Sequence, residues 1–75
     1  MSEANKMFEE LGYKKYESEI GVQYIREGID RIEFDKNIKI VKSYVWNDGF
    51  REIVKSINSY EAKAIYKKCE ELGWI

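Results

Sequence analysis

The chain contains no histidine and a single cysteine, Cys69. Histidine is the commonest general base and metal ligand in proteins, and a cysteine nucleophile usually depends on a neighbouring base to activate its thiol. Cys69 also falls on the apolar side of a predicted helix, where a thiol packs as a small apolar side chain. We therefore expect a packing cysteine, and the sequence favours a protein that is not an enzyme.

Three carboxylates close together in the sequence, Asp30, Glu33 and Asp35, raise the possibility of a metal site or an acid–base pair. Strand alternation separates them, because Glu33 points to one face of a predicted strand, Asp30 begins that strand and Asp35 lies in the turn after it. Residues 35–37 also lack the glycine and the distal glutamate of a calcium-binding loop. We expect solvated charges, with no metal and no cofactor. The same interpretation applies to the glutamates of two predicted last helical turns, Glu9, Glu10, Glu70 and Glu71.

Basic residues that could contact nucleic acid are spread along the chain. Nucleic-acid binding depends on a sustained positive field, whereas this chain has 13 Lys+Arg against 14 Asp+Glu and a net charge of −1. The helix–sheet–helix order is similar to that of the double-stranded-RNA-binding fold, but Glu61 occupies the first turn of the second helix, where that fold carries lysines. Solvated surface is the favoured interpretation, and weak nucleic-acid binding is the alternative. The candidate contacts for that alternative are Lys14, Lys15, Lys36, Lys39 and Lys42.

The best candidates for a binding surface are aliphatic residues that are not needed to fill the small core. Ile25, Val41, Val45 and Ile53 are predicted to share the sheet face opposite the helices, among charged side chains. Exposed together, they would form an apolar patch that monomers seldom leave uncovered. We expect an interaction surface for a partner protein or for a second copy of the chain. Isolated exposed apolar side chains, which need no explanation, are the alternative.

The aromatic content is high, with six Tyr, three Phe and two Trp among 75 residues. Each such side chain brings roughly 150–250 Å² of surface that can be buried. Tyr44, Trp46 and Phe50 have two interpretations, because aromatic residues are enriched in cores and at interfaces alike. A domain of this size needs its aromatic residues for the core, so core is favoured over an exposed recognition platform.

A β-hairpin over residues 32–40 is the element expected to position these side chains. A three-residue loop at residues 35–37 makes one face apolar and gives the other an ion pair, and a slip by one residue would spoil both faces. The expected cross-strand pairs are Phe34 with Ile38, Ile32 with Ile40 and, on the other face, Glu33 with Lys39.

Further turn signals, near Gly21, Gly28 and residues 47–49, extend this hairpin to an antiparallel meander of four to five strands within residues 13–57. The unfavourable pairing of Lys42 with Val54 in that arrangement predicts a bulge or a peeling last strand near Lys42. The spacing of eight residues aligns two cross-strand rows, one of Tyr16, Tyr24, Ile32 and Ile40 and the other of Val22, Phe34 and Ile38.

Helices are predicted at both ends of the meander. The first, over residues 2–12, begins at the N-cap Ser2 and stops at Gly12, and the second, over residues 58–72, begins with a capping box of Asn58 and Glu61. Both are expected to pack on the same face of the sheet, which gives one two-layer α+β domain over residues 1–75. The apolar stripe of the second helix is predicted to be Ala62, Ile65, Tyr66, Cys69 and Leu72.

The two helix ends carry a resemblance. Residues 7–15 read MFEELGYKK and residues 64–74 read AIYKKCEELGW, and in this the chain resembles small phage- and prophage-encoded proteins of Gram-positive bacteria. The resemblance implies a mobile-element origin in a bacterial cytoplasm, and it offers no functional residue that could be transferred. The missing catalytic residue types and the leftover apolar residues favour an accessory module whose partner is a host or phage protein or a second copy of the chain. The lone cysteine, the absence of a signal-peptide pattern and the absence of a long apolar run predict a soluble, cytoplasmic protein.

Overall fold

The chain folds as an antiparallel meander with one helix before it and one after it. The computed structural model describes residues 2–46 and 52–75. The strands form one sheet in which spatial order follows chain order, which confirms the predicted α+β meander. The elements are α1 (Glu3–Glu10), β1 (Lys14–Glu17), β2 (Gly21–Arg26), β3 (Asp30–Asp35), β4 (Ile40–Trp46), β5 (Glu52–Val54) and α2 (Ser59–Glu71).

Both helices stop by the same mechanism. Gly12 and Gly73 have positive φ angles of 94° and 76°, a conformation that glycine adopts without a steric penalty. The N–H of Tyr13 then donates to the carbonyl of Phe8 at 3.0 Å, and the N–H of Trp74 donates to the carbonyl of Cys69 at 2.9 Å. These are the hydrogen bonds of the Schellman motif, so the predicted helix ends are confirmed.

The start of α2 is also confirmed, because Asn58 and Glu61 exchange side-chain and backbone hydrogen bonds in a capping box. The predicted apolar stripe of α2 is wrong in part. Its fully buried residues are Glu61, Ala64 and Lys68, whereas Ala62 and Tyr66 are exposed. Neither α1 nor α2, the helices of the described ranges, is long and apolar enough to cross a membrane.

The core lies between the two helices and one face of the sheet. Its centre is the ring of Phe8, which stacks on Tyr24 with centroids 3.8 Å apart and meets Phe34 edge-on. Trp74, beyond the end of α2, closes the core against Phe34. Aromatic pairs of this kind add to the free energy gained from area burial. The fully buried hydrophobic residues are Ala4, Phe8, Tyr13, Val22, Tyr24, Ile32, Phe34 and Ala64.

The pairing of β2 with β3 is as predicted, with Tyr24 opposite Ile32 and Val22 opposite Phe34. The predicted pairing of β1 is wrong by one residue, because Lys15 and not Tyr16 lies opposite Tyr24. A shift of one residue moves a side chain to the other face, and Tyr16 is accordingly 50% exposed.

The predicted register of β3 with β4 is wrong by three residues. The connection has four residues, 36–39, in which the Asp35 carboxylate accepts the N–H of Asn37 at 2.9 Å and Lys39 adopts a left-handed φ of 54°. Phe34 therefore pairs with Val41 instead of Ile38. Because three is an odd number, every side chain of β4 lies on the face opposite to the predicted one. Ile38 and Ile40, predicted to be in the core, are 56% and 43% exposed.

Candidate functional site

A buried ionic cluster joins both helical regions to the sheet. Asp30, at the start of β3, lies 2.6 Å from Arg26 Nη2 and 2.8 Å from Lys55 Nζ. The same Lys55 ammonium lies 2.7 Å from the Glu61 carboxylate. The hydroxyl of Tyr13 lies 2.5 Å from Glu61 and 3.0 Å from Asp30. Asp30 and Glu61 are each only 2% exposed, so the two carboxylates are compensated by neighbouring cations and not by water.

The electrostatics of this cluster hold each member in its usual ionic form. Burial raises the pKa of Asp30, but hydrogen bonds from Arg26, Lys55 and Tyr13 outweigh burial and hold that pKa at about 2. Burial also raises the pKa of Glu61, but hydrogen bonds from Lys55 and Tyr13 outweigh burial, so the pKa of Glu61 is lowered. The pKa of Lys55 is raised, because its hydrogen bonds to the two carboxylates outweigh its burial. A general acid or base works best with a pKa near the operating pH, so this arrangement favours a structural role.

The cluster corrects the interpretation of Asp30 as a solvated charge. Glu33 is separated from it as expected and accepts a hydrogen bond from Gln23 Nε2 at 3.1 Å on the other face, and Asp35 lies at the turn after β3. The sequence contained one signal for the cluster, since Arg26 and Asp30 flank a tight turn at Gly28. Lys55 and Glu61 approach Asp30 only through the tertiary fold.

Cys69 is half-buried against the core. Burial raises the pKa of its thiol, which is the opposite of the change that activates a cysteine nucleophile. Within the described ranges, no three His, Cys, Asp or Glu side chains form a group that could hold a metal ion.

The sheet face turned away from the helices carries a mixed set of aromatic, aliphatic and charged side chains. Both helices lie on the opposite side, so no element of the described chain covers this face. Arg31 places its guanidinium 5.0 Å from the ring centroid of Tyr44, a favourable cation–π geometry. We call this surface the open face. It includes two cross-strand rows, Lys14, Ile25, Arg31 and Tyr44 in the first and Tyr16, Gln23, Glu33 and Lys42 in the second.

The four residues predicted to form one interaction surface do not share a face. Ile25 lies on the open face and is half-buried. Val41 packs against the core on the helix side, and Val45, four residues along the same strand, has the same orientation. Ile53 pairs with Val45, and its side chain lies outside the described part of the structure. The reason for the correction is the three-residue shift of β4.

The five candidate lysines are also divided. Lys14 and Lys42 lie on the open face, whereas Lys15 lies cross-strand from buried Tyr24. Lys36 and Lys39 lie in the turn between β3 and β4. The lysines therefore form no single basic patch.

Of the aromatic residues with two interpretations, Tyr44 lies on the open face and not in the core. Nothing is described for the side chain of Trp46, and Phe50 and the predicted turn at residues 47–49 lie outside the described residues. Alternation with Val45, which was predicted to lie on the face opposite the helices, placed Tyr44 on the helix side, and the three-residue shift of β4 reverses both positions.

Comparison of the chain with protein-family models, with curated proteins and with solved structures gives no match.

Proposed function

We propose that this protein is a non-enzymatic interaction module that binds a protein partner through the open face. The observation that carries the proposal is the composition of that face, on which Tyr16, Ile25, Arg31 and Tyr44 remain partly or largely accessible. Tyrosine and arginine are enriched among the residues that dominate binding energy in protein interfaces. A five-stranded sheet also presents these side chains on a rigid support, which lowers the entropy cost of association.

We further propose that the partner is a host or phage protein and that binding takes place in a bacterial cytoplasm. Two sequence features support this proposal. One is the resemblance of both helix ends to those of small phage and prophage proteins, and the other is the presence of only one cysteine.

The experiment is a capture assay with matched tyrosine variants. Tyr16→Ala removes a side chain of the open face that is 50% exposed, and Tyr66→Ala removes one of α2 that is 56% exposed. We expect the immobilised protein to retain a specific protein from a lysate of a Gram-positive host, and we expect Tyr66→Ala to retain it equally. Tyr16→Ala and Arg31→Ala should lose it while keeping the circular dichroism spectrum of the parent protein. Equal capture by all variants, or no capture by any, would contradict the proposal.

Weak binding of single-stranded nucleic acid is a second candidate, which one feature of the open face favours. Lys14, Arg31 and Lys42 share this face with two tyrosines, and bases stack on aromatic side chains while cations contact phosphates. Titration with single-stranded DNA and RNA at low salt should then shift the resonances of Lys14, Lys42 and Tyr16. If these resonances do not move, this candidate is eliminated.

A further inference from the structure

Strand β1 forms one edge of the sheet. In the described part of the chain it has β2 on one side and no strand on the other. Its pairing with β2 runs without interruption from Lys14 to Glu17, and the side chains of these four residues are all exposed. An edge of this kind presents unpaired main-chain groups, to which another strand can bind.

The turn after β1 identifies the groups that this edge presents. The N–H of Ser18 donates to the carbonyl of Gly21 at 2.9 Å, so the main-chain groups of Ser18 are directed towards β2. Successive residues of a strand direct these groups to alternate sides. Tyr16 is therefore also directed towards β2, whereas Lys15 and Glu17 direct their N–H and carbonyl groups to the open edge.

A second copy of the chain can pair with these groups in an antiparallel arrangement. In an antiparallel ladder, residues that bond across the gap lie directly opposite each other, and two identical edges are then related by a twofold axis. Lys15 opposite Lys15, or Glu17 opposite Glu17, would bring like charges together, which is unfavourable. Lys15 opposite Glu17 of the second copy instead pairs opposite charges twice, once on each side of the axis.

The register with Lys15 opposite Glu17 is favourable on both faces of the sheet. On the open face it places Tyr16 opposite Tyr16 of the second copy, and aromatic cross-strand pairs of this kind are stabilising. Tyr16 is 50% exposed and therefore accessible for this contact. On the helix side, the ammonium of Lys15 lies 3.4 Å from the Glu17 carboxylate within one copy. Pairing brings two such ion pairs together as four charges of alternating sign.

We propose that two copies of this chain associate through β1 in an antiparallel, twofold-symmetric dimer, in which Lys15 of each copy lies opposite Glu17 of the other. The two sheets then join into one. Lysine on an edge strand commonly prevents such pairing, but here each Lys15 meets a carboxylate of the second copy. Because one short strand from each copy makes a small interface, the association is weak and requires protein at about millimolar concentration.

This interface is distinct from the binding site of the proposed function, although Tyr16 belongs to both. The dimer is held by main-chain groups at the sheet edge and by Lys15 and Glu17 on the helix side, none of which belongs to the open face. Arg31→Ala, which should impair partner capture by the open face, should therefore leave self-association unchanged.

The test compares two charge variants, separately and mixed, by sedimentation equilibrium. Lys15→Glu gives a chain with carboxylates at both positions, and Glu17→Lys gives a chain with ammonium groups at both. In either variant alone like charges face each other, and we expect association to weaken about tenfold or more. An equimolar mixture pairs opposite charges again and should restore the average mass of the parent protein. Lys63→Glu, on the exposed side of α2, makes the same change in net charge as Lys15→Glu and should associate as the parent does.

Hydrogen exchange provides a second readout that depends on the alternation along β1. We expect exchange at the N–H groups of Lys15 and Glu17 to slow as the concentration of the parent protein rises. The N–H of Tyr16 is directed towards β2 in a single copy, so it serves as the internal comparison and should change much less.

Several results would overturn the proposal. One is an average mass that stays at the monomer value at about millimolar protein. Others are equal association of the parent and both charge variants, or an equimolar mixture that remains monomeric. Loss of self-association in Arg31→Ala would assign the contact to the open face. Protection of Lys15 and Glu17 that requires another protein would show that a different chain occupies the edge.

Discussion

The carboxylate of Glu71, in the last turn of α2, accepts a hydrogen bond at 2.9 Å from the backbone N–H of Ala4, in the first turn of α1. Its other oxygen accepts the hydroxyl proton of Ser2, the N-cap of α1. A glutamate at a helix C-terminus opposes the dipole of its own helix. Here the same charge lies at the N-terminus of the neighbouring helix, where it is favourable.

Loss of this contact should destabilise the protein measurably. Glu71→Ala leaves the N–H of Ala4 without its carboxylate partner, and we expect the free energy of unfolding to fall by about 1 kcal/mol in urea titration. Glu70→Ala is the matched control, because Glu70 is exposed and its carboxylate forms a long ion pair with Lys67 at 3.6 Å. Its effect should stay within about 0.5 kcal/mol. Equal effects of the two substitutions would show that Glu71 does not act as a cap for α1.

The buried ionic cluster should be far more sensitive to substitution than any surface charge. Asp30→Asn leaves the cations of Arg26 and Lys55 facing one buried carboxylate instead of two, and we expect a loss of about 3 kcal/mol in the free energy of unfolding. Glu27→Gln, in the exposed turn three residues before β3, serves as the control and should change stability by less than about 0.5 kcal/mol. A loss below 1 kcal/mol for Asp30→Asn would contradict the cluster described above.

The cluster also predicts how stability depends on pH. The folded pKa of Asp30 is about 2, below the usual value for this residue of about 3.9. A depressed carboxyl pKa stabilises the folded state above the unfolded pKa, and this stabilisation is lost as the pH falls through the folded pKa. We therefore expect Asp30 alone to account for about 2 kcal/mol that is lost between about pH 4 and pH 2.

The pKa values of Glu61 and Glu71 are lowered as well, so their contributions have the same sign. Urea titrations at pH 7, 4, 3 and 2 measure the total loss. In Asp30→Asn the fall in stability over this range should be smaller than in the parent protein. An identical fall in both proteins would assign the acid sensitivity to other groups.

Gly21 should tolerate no side chain, for a reason unrelated to its φ angle. A Cβ built on Gly21 would lie 1.8 Å from the carbonyl oxygen of Phe34, so Gly21→Ala must displace the backbone of β2 or β3. We expect a loss of about 3 kcal/mol in thermal or urea unfolding. Gly28→Ala is the comparison, since nothing lies within 4 Å of its Cβ position and its positive φ is the only obstacle. It should cost about 1 kcal/mol. A smaller effect at Gly21 than at Gly28 would contradict the close approach of β2 to β3.

The features that could be predicted from the sequence are those that depend on nearby residues. The helix stops at Gly12 and Gly73, the capping box at Asn58 and the pairing of β2 with β3 each rest on a few consecutive positions with a defined backbone geometry. Contacts between residues distant in the sequence therefore do not change the helix stops, the capping box or this pairing.

The register of β4 was predicted wrongly, because the apolar pairs Phe34 with Ile38 and Ile32 with Ile40 favour a three-residue loop and the sequence pattern does not indicate the longer turn. In the structure the Asp35 side chain accepts the N–H of Asn37, which favours the longer turn, and Val41, Ser43 and Val45 take the helix side. The predicted pairing of Lys42 with Val54 is wrong, because Val54 pairs with Tyr44. Of the two predicted alternatives near Lys42, the structure shows the last strand leaving β4, since β5 ends at Val54 and does not reach Lys42.

The candidate site was predicted less well than the fold. Asp30 and Glu61 are charged residues, and charged residues are almost never fully buried unless they are paired. Lys55 is 25 residues from Asp30 in the sequence, and Tyr13 is 48 residues from Glu61. No pattern among neighbouring residues therefore indicates that these pairs of side chains meet. The open face was missed because its composition depends on the register of β1 and β4, both of which differ from prediction.

The order of the sheet has a consequence for the way the chain folds. Each strand pairs with its neighbour in the chain, so the meander forms by closing short loops, which lowers the entropic barrier. The longest loop is closed only when α2 returns to α1, through contacts such as that of Glu71 with Ala4. Substitutions in the hairpin of β2 and β3 should therefore slow refolding, whereas those at Glu71 should mainly accelerate unfolding. Stopped-flow measurement of both rates distinguishes this order from one in which the helices pair first.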